Sequence, residues 1–258
     1  MKSLSLEDKI KQVAEILRHS RSIMFITGAG MSAESGLPTY RGLNGLYNNQ
    51  LTEDGMTIEQ ALSGETLESN PAVTWKYLSA IEEKYRGAEP NRGHEIIKEI
   101  EEHFKRVWIL TQNIEHFHQL SGSRNVITIH GDLYKLICTR CMKKTRINNY
   151  GEIDIPPVCP ECGAIVRPEV VFFGEALPYD QCQVLMQELR IGFDVYFSIG
   201  TSSLFPYIQE PIIEAKREGK PTIEINPGQT CLSNFVDIKI AECAAVALEK
   251  IWTEYKRI

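Results

Sequence analysis

Four of the seven cysteines stand in two pairs, Cys138-x2-Cys141 and Cys159-x2-Cys162, with seventeen residues between the pairs. Two such turns at this spacing make a four-thiolate zinc site. Four thiolates fill a tetrahedral shell and leave no position for a reacting water, so one structural zinc ion is expected here. Basic residues within and between the pairs (Arg140, Lys143, Lys144, Arg146) also fit a nucleic-acid-binding ribbon, although such runs are usually solvated faces. Cys182, Cys231 and Cys243 are scattered and read as small buried residues. An odd cysteine count argues against a disulfide framework.

A second group is built of glycines, hydroxyls and amides. Gly28-x-Gly30-x-x-Ala33 follows the apolar run 22–27 and fits a dinucleotide fingerprint with alanine in third place. Glycine lets backbone approach a pyrophosphate, and N–H groups at a helix start hold its charge. The acidic residue expected ~20 positions on, at the end of a second strand, is missing. The loop runs instead through Ser32 and Gly36 to Arg41, which a plain dehydrogenase does not need. Similar residues follow three later apolar runs, at Gln112-Asn113, Gly200–Ser203 and Asn226–Gly228. Turns need such residues anyway, but four strand exits of this kind form a coherent nucleotide site. A lone histidine is more often structural than catalytic, and none of the six is singled out as a base by pattern alone.

The elements that would hold these groups alternate. Apolar spacing predicts helices over 6–19, 71–86, 93–104, 179–189, 208–218 and 244–255. Short apolar runs predict strands at 22–27, 107–111, 125–129, 194–199, 221–225 and 236–240. Residues 42–70 read as loop with short helices. Alternation of this kind gives an α/β fold: a Rossmann-like, doubly wound parallel sheet that binds ligands at the strand ends. The composition shifts over 133–167, which reads as a small inserted zinc-binding module. The expected organisation is a large domain of 1–132 and 168–258, with part of 42–92 joining the zinc module of 133–167.

Composition bounds the rest. The chain has 258 residues, 43% hydrophobic and 24% charged, as in ordinary globular proteins. Net charge is −6, a poor match to nucleic acid, so no direct nucleic-acid partner is expected. No apolar run nears the ~20 residues of a membrane helix, and no membrane association is expected. The first residues, MKSLSLEDKIKQ, carry acids where a signal peptide is apolar, so the expected location is cytoplasmic.

The run Gly28-Ala-Gly-Met-Ser-Ala-Glu-Ser-Gly-Leu-Pro-Thr-Tyr-Arg-Gly42 closely resembles the signature of the sirtuins, the NAD-dependent protein lysine deacylases. Thr111-Gln-Asn-Ile-Glu115 resembles their TQNID segment, and His130-Gly131 their catalytic His-Gly pair. The two cysteine pairs resemble their structural zinc module. Val170-Val-Phe-Phe-Gly-Glu175 resembles the substrate-binding segment, and Gly200-Thr-Ser202 and Ile225-Asn-Pro227 the late cofactor loops. The likeness spans residues 20–250 in order.

This resemblance implies a reaction in which NAD and an acyl-lysine peptide or protein give nicotinamide, free lysine and an O-acyl-ADP-ribose. It implies that His130 is the base acting on a ribose hydroxyl, and that Asn113 belongs to the catalytic site. It assigns to the cofactor Gly28, Ala29, Gly30, Ser32, Ala33, Arg41, Gln112, Asn113, Ile114, Glu115, Gly200, Thr201, Ser202, Asn226, Pro227 and, through backbone, Ala244. Val170, Phe173, Gly174 and Glu175 would meet the peptide by strand addition. Transfer of ADP-ribose to a protein acceptor is the alternative at the same NAD site.

The chain departs from the family pattern in informative places. Glu115 replaces the usual Asp, Tyr40 a Phe, and Phe117 a Leu. Sirtuins that remove acidic acyl groups carry Tyr-x-x-Arg in the helix matching 71–86. Leu78 and Ile81 stand there instead, with Tyr77 out of phase. No cation is available for a carboxylate, so acetyl or longer uncharged acyl groups are expected.

Overall fold

The computed structural model describes residues 4–39 and 51–258. In chain order the strands are β1 (Ser22–Thr27), β2 (Arg106–Thr111), β3 (Val126–Thr128), β4 (Gly131–Cys138), β5 (Lys144–Arg146), β6 (Val166–Val170), β7 (Val195–Ile199), β8 (Thr222–Ile225) and β9 (Ile238–Ile240). The helices are α1 (Leu6–Arg18), α2 (Ile58–Ala61), α3 (Gly64–Ser69), α4 (Pro71–Tyr85), α5 (Arg92–His103), α6 (Phe117–Leu120), α7 (Tyr179–Ile191), α8 (Pro206–Arg217) and α9 (Ala244–Arg257).

Six strands form a parallel sheet in the order β3-β2-β1-β7-β8-β9. Strand β1 is apolar on both faces because both are covered. Ile23 and Phe25 pack with α1, α5 and α9, while Met24 and Ile26 pack with α7 and α8. Local signals set these helices. Ser5 and Asp8 close a capping box at the start of α1. Pro71 and Pro206 occupy first-turn positions, where a missing N–H costs nothing.

The chain leaves β1 toward β2 and β3, then returns to the other side with β7, β8 and β9. The order therefore switches between β1 and β7, where neighbouring exit loops diverge and open a crevice. A second, antiparallel sheet, β5-β4-β6, carries the cysteines. Leu133, Leu136 and Val170 from this sheet share an apolar core with Leu67, Trp75, Leu78 and Ile81 of α3 and α4.

Three local expectations are corrected. Cys231 and Cys243 are exposed and Cys182 is half-buried, where all three read as buried. No α-helix starts behind Gly28; the chain makes two 3-10 turns, Ala29–Met31 and Ala33–Ser35. Gly30 N–H is tied to Gly200 O at 2.8 Å, which diverts the chain from a helical path. The segment 170–175, expected to meet a peptide by strand addition, is strand only at Val170. Beyond it, Phe172 N–H donates to Glu175 Oε2 at 2.9 Å and Phe173 N–H to Leu62 O at 3.0 Å. Tyr40, Arg41 and Gly42 lie outside the described residues.

Candidate active site and metal centre

The crevice at the switch point holds a cavity of about 820 Å³. It brings together most of the residues singled out in the sequence. Gly28, Ala29, Gly30 and Ala33 line it from the β1 exit, Gln112, Asn113 and Ile114 from β2, and His130 from the loop before β4. Gly200, Thr201 and Ser202 line it after β7, and Asn226 and Pro227 after β8. Val170, Phe173, Gly174 and Glu175 close the side toward the small sheet.

The glycines have a reason that the sequence did not disclose. A Cβ on Gly28 would lie 2.8 Å from Thr201 Cβ, and one on Gly30 would lie 2.7 Å from Gly200 Cα. They let the β1 and β7 exit loops touch, a packing reason beside the phosphate contact expected of them. Gly131 is constrained more severely. Its φ is 87°, and a Cβ there would stand 1.9 Å from Glu169 O. Only glycine can follow His130 and still allow β4 to pair with β6.

His130 is held at both ring nitrogens. Nδ1 lies 2.9 Å from Gln112 O, a pure acceptor, so Nδ1 carries the hydrogen. Nε2 then presents its lone pair, and Tyr207 Oη lies 2.7 Å from it. Burial holds the imidazole below its ordinary value, against the opposing pull of the Gln112 carbonyl. A neutral imidazole with its lone pair toward the cavity is suited to accept a proton.

Ser32 and Glu115 are buried directly behind the lining. Asn113 Nδ2 donates to Gly28 O at 3.1 Å and to Ser32 Oγ at 3.2 Å. Ser32 Oγ donates to Glu115 Oε1 at 2.5 Å. Burial pushes the Glu115 carboxyl up, with the Ser32 hydroxyl partly offsetting it. His116 follows with a left-handed φ of 68°, its ring against the Asp132 carboxylate. The Ala244 side chain is buried in the core of the large sheet, and the preceding Cys243 lines the cavity.

On the other side, Glu175 is engaged by Arg167 at 2.5 and 2.7 Å and by the Phe172 amide. The Arg167 guanidinium and the Phe172 amide keep its carboxyl below the usual range, despite burial. Phe173 C=O accepts from Gly64 N–H at 3.1 Å, so both its main-chain groups are paired within the chain. Strand addition at Phe173 would have to break those bonds. Leu62, Leu78 and Ile81 form an apolar wall of the cavity. Tyr77 turns away and donates to Asp54 Oδ2 at 2.5 Å.

The four sulfurs of Cys138, Cys141, Cys159 and Cys162 all lie within 4.8 Å of one another. Cys138 and Cys162 Sγ are 3.4 Å apart, and Cys141 and Cys159 Sγ 3.6 Å. Zn–S bonds of ~2.3 Å set tetrahedral edges near ~3.8 Å, close to these values. The amides of Arg140 and Cys141 point at Cys138 Sγ from 3.4 and 3.5 Å, which favours a thiolate. The cluster fits one zinc ion.

Comparison with known proteins agrees with this geometry. The Sir2 family profile matches residues 28–205. NAD-dependent protein deacylase 2 of Pseudomonas aeruginosa is 46% identical over 234 residues, covering 90% of this chain and 91% of that protein. The chain belongs to the Sir2 family. Among its Sir2 relatives, the NAD-dependent protein deacylase of Aquifex aeolicus is 35% identical over 232 residues, 90% of this chain and 94% of that one. The solved structure of a Sir2 homologue with NAD superimposes with a TM-score of 0.85 at 33% identity, covering 96% of this chain and 94% of that one. A Sir2 variant solved with a deacetylated p53 peptide and 3′-O-acetyl-ADP-ribose has a TM-score of 0.86 at 27% identity, covering 95% and 98%.

Sequence reasoning passed over Tyr207, Arg167 and Glu34. Tyr207 and Arg167 act through partners that only the fold brings near. Glu34 lines the cavity and accepts the Ala245 N–H at 2.6 Å, tying the β1 exit to the start of α9.

Proposed function

We propose that this chain is an NAD-dependent protein lysine deacylase acting on acetyl or longer uncharged acyl groups. Nicotinamide, free lysine and O-acyl-ADP-ribose are its products. The observation that carries this reading is the continuity of the cavity. It runs from the glycine and amide loops, past His130, to the apolar wall of Leu62, Leu78 and Ile81.

NAD suits the cavity. Its ~820 Å³ lie within the usual 300–1,000 Å³ of small-molecule sites, at the crevice where open parallel sheets bind nucleotides. Bound as a substrate, NAD supplies the ribose carbon that accepts the acyl oxygen and the nicotinamide that leaves. The exit loops 28–33, 200–202 and 226–227 hold its phosphates and adenosine, and Arg41 adds a cation. Gln112, Asn113 and Ile114 surround the nicotinamide side. Asn113 fixes Ser32, which in turn fixes Glu115. His130 Nε2 removes the proton from a ribose hydroxyl, while the Gln112 carbonyl steadies the opposite nitrogen.

The acyl-lysine enters along residues 170–175, and its acyl group lies on the apolar wall. A relative solved with a deacetylated peptide supports a peptide or protein substrate. The zinc-binding module, taken as 133–167 with part of 42–92, contributes Leu62, Leu78 and Ile81 to this cleft. Cys138, Cys141, Cys159 and Cys162 would hold its zinc, which supplies a structural cross-link and takes no part in the reaction.

The test is mass spectrometry of acetyl-, fatty-acyl- and succinyl-lysine peptides, incubated with and without NAD. Acyl loss only with NAD, together with O-acyl-ADP-ribose and least for succinyl-lysine, is expected. No acyl loss, with an ADP-ribose mass added to a protein acceptor, overturns the reading in favour of transfer to protein. Fastest turnover of the succinyl peptide overturns the acyl preference alone.

A further inference from the structure

Tyr207 occupies the one position that the base has to leave open. Because Nδ1–H of His130 donates to Gln112 O, the imidazole has a single remaining lone pair, on Nε2. Tyr207 Oη lies 2.7 Å from that nitrogen, and a phenol facing a lone pair is the donor. Burial pushes the phenol up to about 12, so it keeps its hydrogen at neutral pH.

The position of Tyr207 is well determined by its surroundings. Pro206 opens α8 and places Tyr207 in the first turn. Phe205 stacks on the Tyr207 ring at 5.4 Å, with planes 13° apart. Both rings meet the His130 ring edge-on, at 5.9 and 6.0 Å. The two aromatics and His130 all line the cavity.

We propose that Tyr207 is a positioning residue for His130, whose hydroxyl stands in for the substrate hydroxyl on Nε2 in the free protein. This rests on the deacylase reading only for the identity of that substrate hydroxyl. A hydrogen bond to the unprotonated nitrogen stabilises the neutral ring and opposes its protonation. It also holds the ring in the plane that a ribose hydroxyl will meet. An aromatic nitrogen has one lone pair, so Tyr207 has to withdraw when substrate binds. The protonation state of His130 is thus set by Tyr207 from α8 and the Gln112 carbonyl from the β2 exit. Cys182 of α7 packs against the same apolar cluster as Tyr207. Among the described residues no carboxylate or cation forms an ion pair with His130.

The experiment is an NMR titration of the His130 imidazole in the substrate-free protein, wild type against Tyr207→Phe. The resonance is assigned by its loss in His130→Ala. Removing one neutral hydrogen bond is expected to raise the His130 midpoint by about half a unit to one unit. An unchanged or lowered midpoint overturns the proposal. A second arm covers a failure of Tyr207→Phe to fold. Replacement of tyrosine by 3-fluorotyrosine makes a stronger donor, and the midpoint is expected to fall; a rise or no change overturns the proposal. The acidic limb of kcat/KM for deacylation moves with the midpoint in each case. Because the titration needs no turnover, a failed deacylase assay and a failed Tyr207 assignment remain distinct results.

Discussion

Ser32 and Glu115, eighty-three positions apart, meet through a 2.5 Å hydrogen bond behind the cavity wall. The pair joins the β1 exit to the β2 exit, and Asn113 completes it by donating to Ser32 Oγ. The Glu115 carboxyl is buried and opposed by desolvation, so its folded-state pKa lies above the unfolded value. Such a carboxyl binds its proton more tightly when folded. Stability from this group is therefore present at low pH and lost as pH rises through the folded pKa. Glu115→Gln keeps the acceptor for Ser32 and removes the charge. We expect the variant to melt at the same or higher temperature than wild type at pH 8, with the gap closing toward pH 4. Calorimetric melts across that range check this, and a lower melting temperature at pH 8 contradicts it.

His130→Ala removes the Nε2 lone pair assigned as the base. The expected loss of deacylation rate is about 10²–10⁴-fold. ADP-ribose should still bind, since the exit loops 28–33 and 200–202 do not depend on the imidazole. Calorimetry with ADP-ribose and single-turnover assays separate the two effects. Near-normal turnover would exclude His130 as the base.

Cys138→Ser replaces one of four converging sulfurs and loosens the small sheet at the end of β4. Zinc content should fall well below one ion per chain. The melting temperature should fall by roughly 6–12 °C, the equivalent of about 3 kcal/mol in a chain of this size. Elemental analysis and thermal melts measure both, and unchanged values in both would show that the cluster does not hold structural zinc.

His94 and His118 lie ring against ring in the core, with centroids 4.9 Å apart. Burial depresses His94 to about 4, while its unfolded value is ~6.5. The unfolded chain then binds the proton more readily. Stability is complete above pH ~6.5 and falls as pH drops toward 4. Between pH 7.5 and 5.0 this group alone costs about 2 kcal/mol. Urea midpoints at the two pH values should differ by less in His94→Gln than in wild type, and an equal difference would refute the assignment.

The sequence disclosed the alternation well. The strands predicted at 22–27, 107–111 and 194–199 begin or end within one residue of β1, β2 and β7, because runs buried on both faces are unmistakable. Cys138, Cys141, Cys159 and Cys162 were equally plain, since a metal site is written in local spacing. What stayed hidden were contacts between distant segments. Tyr207 is seventy-seven positions from His130, and nothing in Pro206-Tyr207 announces a partner. Gly28, Gly30 and Gly200 were all legible as site glycines, but their contact with one another was not. Phe173 looked like a free strand edge, and only the fold shows Leu62 and Gly64 bonded to it. Ala244 opens α9 with its side chain in the core, and the extended Cys243 before it lines the cavity.

Strand β4 begins at Gly131, the neighbour of His130, and ends at Cys138, the first sulfur of the cluster. Eight residues of extended chain, roughly 24 Å, therefore act as a tie rod between metal and base. The rod is clamped near its start, where Gly131 pairs with Val170, and anchored at its far end by the thiolates. A chelator that opens the cluster slackens the rod without touching any residue that meets substrate. Turnover is therefore expected to fall on chelation although every cavity-lining residue is intact, and unchanged turnover after zinc removal would show that metal and base are independent.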